Sequence, residues 1–303
     1  MKIFMTGGTG FVGSYLTKMF TENGHEVTVL TRSARKGGEL SSGVFFLEGD
    51  PKQTGVWQEK VAEHDAVINL AGTSIFTVWT AKNRQKILES RVQTTRSIVD
   101  ALAKASAKDI TLISASAVGY YGGRTDDKVL DEESPPGDDF LTEVSLKWEA
   151  EAQKAEDLGA RVVITRFGIV LGKDGGALSK MLPPFKKCLG SPLGSGKQWF
   201  SWIHEQDLAA IMLFLLDNKV ITGPVNCTAP EPVTNKELTK TLSNVLGCPA
   251  FMPSVPGFVL KALLGEFGDV VLKGQRVVPK KLLQEGFKFQ FPTLREALLD
   301  LTR

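Results

Sequence analysis

Gly7, Gly10 and Gly13 recur at three-residue intervals, directly after the apolar run Met1–Met5 and at the head of an amphipathic stretch that ends at Asn23-Gly24. That order reads as strand, tight turn, helix. The first two glycines let the backbone turn sharply and approach a pyrophosphate, whose charge would rest on the helix N-terminus. The third lets helix and strand pack closely. An ordinary glycine-rich βα turn has the same letters. The strand-to-helix context makes this one a dinucleotide-binding turn, with Gly7, Thr9, Gly10, Phe11, Val12 and Gly13 as its contact positions.

The rest of the chain keeps that rhythm. Apolar runs at Glu26–Leu30, Val44–Leu47, Ala66–Leu70, Ile110–Ile113 and Arg161–Thr165 read as buried strands. Helical patterns intervene, clearest at Ala81–Ala105 and Phe140–Leu158. The expected fold is α/β, a Rossmann-type doubly wound parallel sheet. Past Gly172 proline and glycine become frequent (Pro183, Pro184, Pro192, Gly194, Gly196), with helical pieces near Glu205–Leu216, Asn235–Leu246 and Phe258–Leu264. We expect a dinucleotide-binding domain over 1–172, rejoined by 205–227, and a smaller, discontinuous C-terminal α+β substrate-side lobe over 173–204 and 228–303.

Charge and cysteine usage exclude several classes. Thirty-six basic and 34 acidic residues are interspersed for a net charge of +2, so no nucleic-acid footprint is expected. Cys188, Cys227 and Cys248 form no metal spacing and no disulfide framework, so each is expected as a reduced thiol in a cytoplasmic protein, and no metal site is expected. No apolar run approaches the ~20 residues that span a bilayer, and the N-terminus reads as a strand rather than a signal peptide.

The second strand speaks to the choice of dinucleotide. An NAD-type unit places an acidic residue at its end for the ribose 2′-hydroxyl. Here Thr31-Arg32-Ser33-Ala34-Arg35-Lys36 follows. Arg32 could stack on adenine and meet a 2′-phosphate, with Ser33 and Arg35 adding donors, so NADP(H) is the expected cofactor. A solvated basic loop is the alternative. Asp50 could accept from the adenine amino group or cap a helix.

Thr6–Gly13, Asn69-Leu70-Ala71-Gly72, Ser114–Gly122 (SASAVGYYG) and Arg166–Gly172 (RFGIVLG) resemble, in order, the landmarks of extended short-chain dehydrogenases/reductases, the NAD-dependent epimerase/dehydratase family. Gly196–His204 (GKQWFSWIH), Gly274–Leu282 (GQRVVPKKL) and Gly286–Phe289 (GFKF) look like an atypical subgroup named only "epimerase family protein", sometimes mislabelled a SulA-type cell-division inhibitor. The resemblance covers essentially the whole chain. It implies cofactor contacts from Leu70, Ala71, Gly72, Lys147, Arg166 and Gly168, and a homodimer through the two long helices.

The resemblance also implies a Ser, Tyr and Lys catalytic set, the last two spaced Tyr-x-x-x-Lys on one helix face. Ser116 and Lys147 stand at the Ser and Lys positions, but Glu143 replaces the Tyr. A carboxylate beside a Lys is ionised near neutral pH, so it accepts hydrogen bonds and cannot donate. Glu143 could serve as a base, or the pair could be a surface ion pair of small value. Tyr120 and Tyr121 could supply the missing acid or pack as structural aromatics. His204 could relay a proton or make a structural hydrogen bond. Arg91 could clamp an anionic substrate or a cofactor phosphate, or pair with a carboxylate. Trp199, Phe200 and Trp202 could wall a substrate cleft or belong to the core. Two functions remain: an NADP(H)-dependent oxidoreductase or epimerase acting on a small polar, nucleotide-linked or free substrate, and a non-catalytic NADP(H)-binding sensor or scaffold.

Overall fold

The runs that are apolar on both faces pair into one parallel sheet, because helices cover both sides of it. In the computed structural model, which describes residues 1–33, 42–105, 109–249 and 252–303, the chain begins with β1 (Lys2–Thr6), α1 (Phe11–Glu22), β2 (Glu26–Thr31), β3 (Val44–Glu48), α2 (Trp57–Lys60), β4 (Ala66–Asn69), α3 (Ala81–Lys104) and β5 (Thr111–Ala117). It continues through β6 (Val129–Leu130), α4 (Phe140–Gln153), β7 (Arg161–Phe167), β8 (Ile169–Leu171), α5 (Gly176–Lys186), β9 (Trp199–Phe200), β10 (Trp202–His204), α6 (Glu205–Asp217) and β11 (Gly223–Cys227). The last elements are β12 (Val233–Thr234), α7 (Asn235–Val245), α8 (Gly257–Leu264), α9 (Phe267–Leu272), β13 (Arg276–Val277), α10 (Lys280–Gln284) and α11 (Leu294–Leu301).

The main sheet has the order β11-β7-β5-β4-β1-β2-β3. Its direction of winding reverses between β1 and β4, which opens a crevice beyond their carboxyl ends, where open α/β sheets bind ligands. The α1/α6 side of the sheet buries Ile3, Met5, Leu16, Phe20, Ile68 and Met212. The other side, under α3 and α4, buries Phe4, Val67, Ile98, Leu102, Leu112 and Ile164.

A separate apolar core around Trp202 joins Leu178, Leu238, Leu242, Phe291 and Leu298. Two short parallel ladders stitch this region to the sheet domain: β10 on β8 and β13 on β6. The junction is tight at Gly274, where an added Cβ would lie 1.9 Å from the Trp199 carbonyl oxygen. Among the described residues, no helix is long and apolar enough to cross a membrane.

Two expectations need correction, and one helix goes unannounced by the sequence. The helix expected over Phe140–Leu158 ends at Gln153; a 3₁₀ turn follows at Glu156–Leu158, closed by Gly159 at φ 85°. The proline-rich stretch contains α5, with Pro183 and Pro184 inside it. Cys188 and Cys248 are joined by a disulfide with a Cα–Cα distance of 4.9 Å, and only Cys227 is a free, buried thiol. The 60-residue sequence separation hid that pair; the fold brings the ends of α5 and α7 together.

Candidate functional site

Backbone geometry at the head of α1 is what the glycine spacing requires. Gly7 has φ +74°, and a Cβ there would lie 2.8 Å from the Leu70 carbonyl carbon and 2.9 Å from the Ala71 nitrogen. The turn thus abuts the Leu70–Gly72 segment across the switch point. A Cβ on Gly13 would lie 2.1 Å from Gly7 O, so this glycine is demanded by the close contact of helix and turn. Gly10 differs: its Cβ would meet only Gly7 O, at 3.3 Å. The space over Gly10 is open, and α1 has neither a side-chain cap nor an acidic residue in its first turn. Its free N–H groups and dipole form a cradle for a phosphate, with Thr9, Phe11 and Val12 around it. Phe11 also braces the opposite wall, since a Cβ on Gly175 would strike its ring at 2.3 Å.

At the end of β2, Arg32 is exposed and Ser33 half-buried, while Arg35 lies outside the described residues. No acidic side chain follows β2 before the described segment ends at Ser33. Asp50, after β3, accepts from the Lys52 backbone N–H at 3.0 Å, which makes it a turn residue with one carboxylate oxygen to spare.

Beneath the crevice lies a buried polar network. Ser116, at the end of β5, donates to Glu149 Oε1 at 2.6 Å. Glu149 receives the Arg166 fork, Nε to Oε1 at 2.9 Å and Nη2 to Oε2 at 2.8 Å. Arg166 Nη1 donates to the Tyr121 hydroxyl at 3.0 Å, and Tyr121 donates to Asn226 Oδ1 at 2.8 Å. Burial opposes the charge of Arg166, but Glu149 and Tyr121 outweigh it and hold the guanidinium above its ordinary value. Burial pushes Tyr121 up to about 12, against the pull of Arg166. Tyr120 stacks on the guanidinium, its ring centroid 3.4 Å from Arg166 Cζ. Arg166 is therefore a strut that spends its donors on protein groups. Gly168 is fixed by crowding, a Cβ there lying 2.8 Å from Ser201 O.

Glu143 and Lys147 do meet, Nζ to Oε1 at 2.7 Å, with side chains 49% and 55% exposed. This is an i,i+4 pair in water, not a buried dyad. His204 is elsewhere. It caps α6, its Nδ1 accepting from the Gln206 N–H at 3.0 Å, and its ring stacks on Phe291 at 3.9 Å. That bond leaves the proton on Nε2, which lies 3.3 Å from Asp300 Oδ2 without hydrogen-bond alignment. Burial pulls His204 down to about 4, against the attraction of Asp300. A neutral, fully buried cap cannot relay protons to a cleft. Trp202 belongs to the core, Phe200 packs against it, and Trp199 donates to Asp127 at 2.8 Å.

Two groups escaped sequence reasoning. Glu149 and Asn226 complete the buried network but stand in no motif; the contact of α4 with β5 and β7 reveals the first, and the pairing of β11 with β7 reveals the second. Phe76 and Trp79, in the loop after β4, pack edge-on against Phe267 of α9, and Trp79 also meets Phe140 of α4. Arg84 pairs with Glu266 beside them at 3.0 Å. This clasp joins the sheet domain to the C-terminal region.

Comparison with known proteins agrees with this geometry. The model of the NAD dependent epimerase/dehydratase family matches residues 3–227, and a domain of unknown function, DUF1731, matches residues 255–301. The chain is 42% identical over 300 residues to an Arabidopsis thaliana protein named epimerase family protein SDR39U1 homolog, chloroplastic, covering 98% of this chain and 86% of that one. It is 41% identical to the Bacillus subtilis epimerase family protein YfhF, covering 99% and 98%. The crystal structure of human epimerase family protein SDR39U1 (isoform 2) with NADPH superposes with a TM-score of 0.86 at 35% identity, covering 99% of each chain. With its glycine turn, switch-point crevice and strand order, the chain belongs to the NAD-dependent epimerase/dehydratase family.

Proposed function

We propose that the protein is an NADP(H)-dependent oxidoreductase or epimerase acting on a small polar substrate, nucleotide-linked or free. The observation that carries this reading is an open, uncapped glycine cradle beside a β2 end with exposed Arg32 and no carboxylate through Ser33. The human SDR39U1 structure with NADPH supports it. The α1 N–H groups would hold the pyrophosphate, Arg32 and Ser33 the 2′-phosphate, and Lys147 the nicotinamide-side ribose.

When bound, the cofactor supplies hydride exchange at its nicotinamide ring. The chain must position the substrate and manage one proton. Ser116 has its proton directed to Glu149, so toward a substrate it can accept but not donate. Tyr121 is likewise committed to Asn226. Tyr120 is half-buried against Arg166, and its hydroxyl is the group best able to give a proton to a substrate oxygen.

A non-catalytic sensor is the second reading, favoured by the exposed Glu143 at the family's Tyr position and by the committed Ser116 proton. Incubating the protein with NADPH and a panel of small carbonyl compounds separates the two. Slow oxidation that Tyr120→Phe abolishes supports the enzyme; intact binding with no turnover across the panel supports the sensor. A cytoplasmic home and a homodimer built on α3 and α4 complete the proposal. The Cys188–Cys248 bridge counts against the first, because reducing compartments keep such thiols apart, and its redox state in cell extract tests that part of the proposal.

A further inference from the structure

Arg91 sits midway along α3, and its guanidinium lies flat beneath Gly72. A Cβ on Gly72 would meet Cζ at 3.1 Å and both terminal nitrogens at 3.3 Å. Gly72 itself is exposed, two residues past Leu70 at the carboxyl end of β4. The glycine therefore acts as a window: any larger residue would cover the cation. Nη1 donates to the Thr73 and Ile87 carbonyls, each at 3.0 Å, which fixes the plane of the guanidinium. The rest of the fork has no protein acceptor among the described residues. Burial with no accompanying carboxylate pulls the group down to about 10.

A second orphan lies beside it. The Trp148 ring on α4 has its centroid 5.2 Å from Arg91 Cζ. Trp148 is 6% exposed, and its indole N–H has no acceptor among the described residues. An unsatisfied buried donor is costly, and so is a half-buried, largely desolvated cation with no carboxylate partner among the described residues. Two such groups side by side, under an exposed glycine at the ligand-binding edge of the sheet, have one common remedy: an oxyanion from outside the chain.

We propose that Arg91 and the Trp148 indole N–H form an oxyanion subsite, entered past Gly72, for a phosphate or carboxylate group of a ligand in the crevice. Two sources offer that chemistry, a phosphate of the dinucleotide and an anionic group on the substrate. The proposal deepens the dinucleotide-enzyme reading and rests on it only for the identity of these sources.

The test follows the Trp148 indole signal in ¹⁵N-labelled protein. The chain has five tryptophans, and Trp148→Phe identifies the signal. Inorganic phosphate is titrated into free protein and into protein mixed with excess NADPH, and NADPH affinity is measured by calorimetry. A substrate-side subsite predicts that phosphate moves the signal in both samples. Arg91→Met then weakens phosphate at least about tenfold, the loss of one charge-assisted bond, and leaves NADPH within about twofold. A cofactor-side subsite predicts that NADPH moves the signal itself, that phosphate no longer does so once NADPH is bound, and that Arg91→Met and Trp148→Phe each weaken NADPH about tenfold.

Because Arg91 also holds Thr73, Gly72→Ala serves as a second variant. It covers the guanidinium without removing it and should weaken the same ligand. The proposal is overturned if neither phosphate nor NADPH moves the signal, or if phosphate moves it equally in Arg91→Met. Failure of NADPH to bind wild-type protein would sink the dinucleotide reading, while the phosphate titration of the free protein would still decide the subsite.

Discussion

Ser116 Oγ donates to Glu149 Oε1 at 2.6 Å, and both side chains are buried. Glu149 in turn neutralises Arg166, so the serine proposed for the catalytic set is anchored to a salt bridge with 4% and 7% exposed side chains. The arrangement ties β5, α4 and β7 together beneath the crevice. Its energetic weight lies in the pair, since breaking a buried ion pair strands a charge.

Glu149→Gln should therefore destabilise the protein by about 3–5 kcal/mol, whereas Ser116→Ala should cost only about 1 kcal/mol. Urea unfolding of both variants checks this. A Glu149→Gln protein within about 1 kcal/mol of wild type would show that Arg166 has found another partner.

Glu143 and Lys147 should behave as surface residues in stability. Glu143→Gln is expected to change it by less than about 0.5 kcal/mol and to leave turnover measurable once a substrate is found. Lys147→Met should weaken binding of the nicotinamide half of the cofactor and lower turnover further. A folded Glu143→Gln variant that binds NADPH and has no activity would assign this carboxylate a direct role.

His204 gives a pH signature. Its folded pKa of about 4 lies below the ordinary 6.5, so the unfolded chain binds the proton first as pH falls. The contribution is fully present above pH 6.5 and is lost as pH drops toward 4. His204→Asn keeps an N-cap acceptor without the titration. The stability difference between wild type and this variant should shrink across that window, by at most about 1.4 kcal/mol per pH unit. A difference independent of pH would contradict the buried, neutral cap.

Without reductant, native protein should show no reactive thiol, and unfolding should expose one, Cys227, whose pKa burial holds well above its ordinary value. Reduction should remove about 4 kcal/mol, the chain-entropy value of a loop of this length. Three reactive thiols after unfolding would show that Cys188 and Cys248 are not joined.

Much of this molecule is legible in its sequence, because much of it follows from local rules. A turn like Gly7–Gly13 dictates strand, turn and helix together, and both-faced apolar runs announce a covered parallel sheet. α11 is encoded locally too, in the Thr293-x-x-Glu296 capping box that precedes its apolar residues. Glu149, Asn226 and the Cys188–Cys248 pair were not legible. Each acquires its meaning from a residue dozens of positions away, and no periodicity encodes such a meeting. Tyr120, Tyr121 and Arg166 stand out in the sequence, but that Tyr121 spends its hydroxyl on Asn226 while Tyr120 gives its ring to Arg166 depends on packing alone.

The central claim is an NADP(H) site with the 2′-phosphate at Arg32. Calorimetric titration of wild type, Arg32→Asp and Gly10→Val with NADPH and NADH tests it most directly. Wild type should bind NADPH at least about tenfold more tightly than NADH, as one charge-assisted contact implies. Arg32→Asp should narrow or reverse that preference, and Gly10→Val, folded because its Cβ meets only Gly7 O, should bind neither. Equal affinity of wild type for the two cofactors, or unchanged binding by Gly10→Val, would contradict the account.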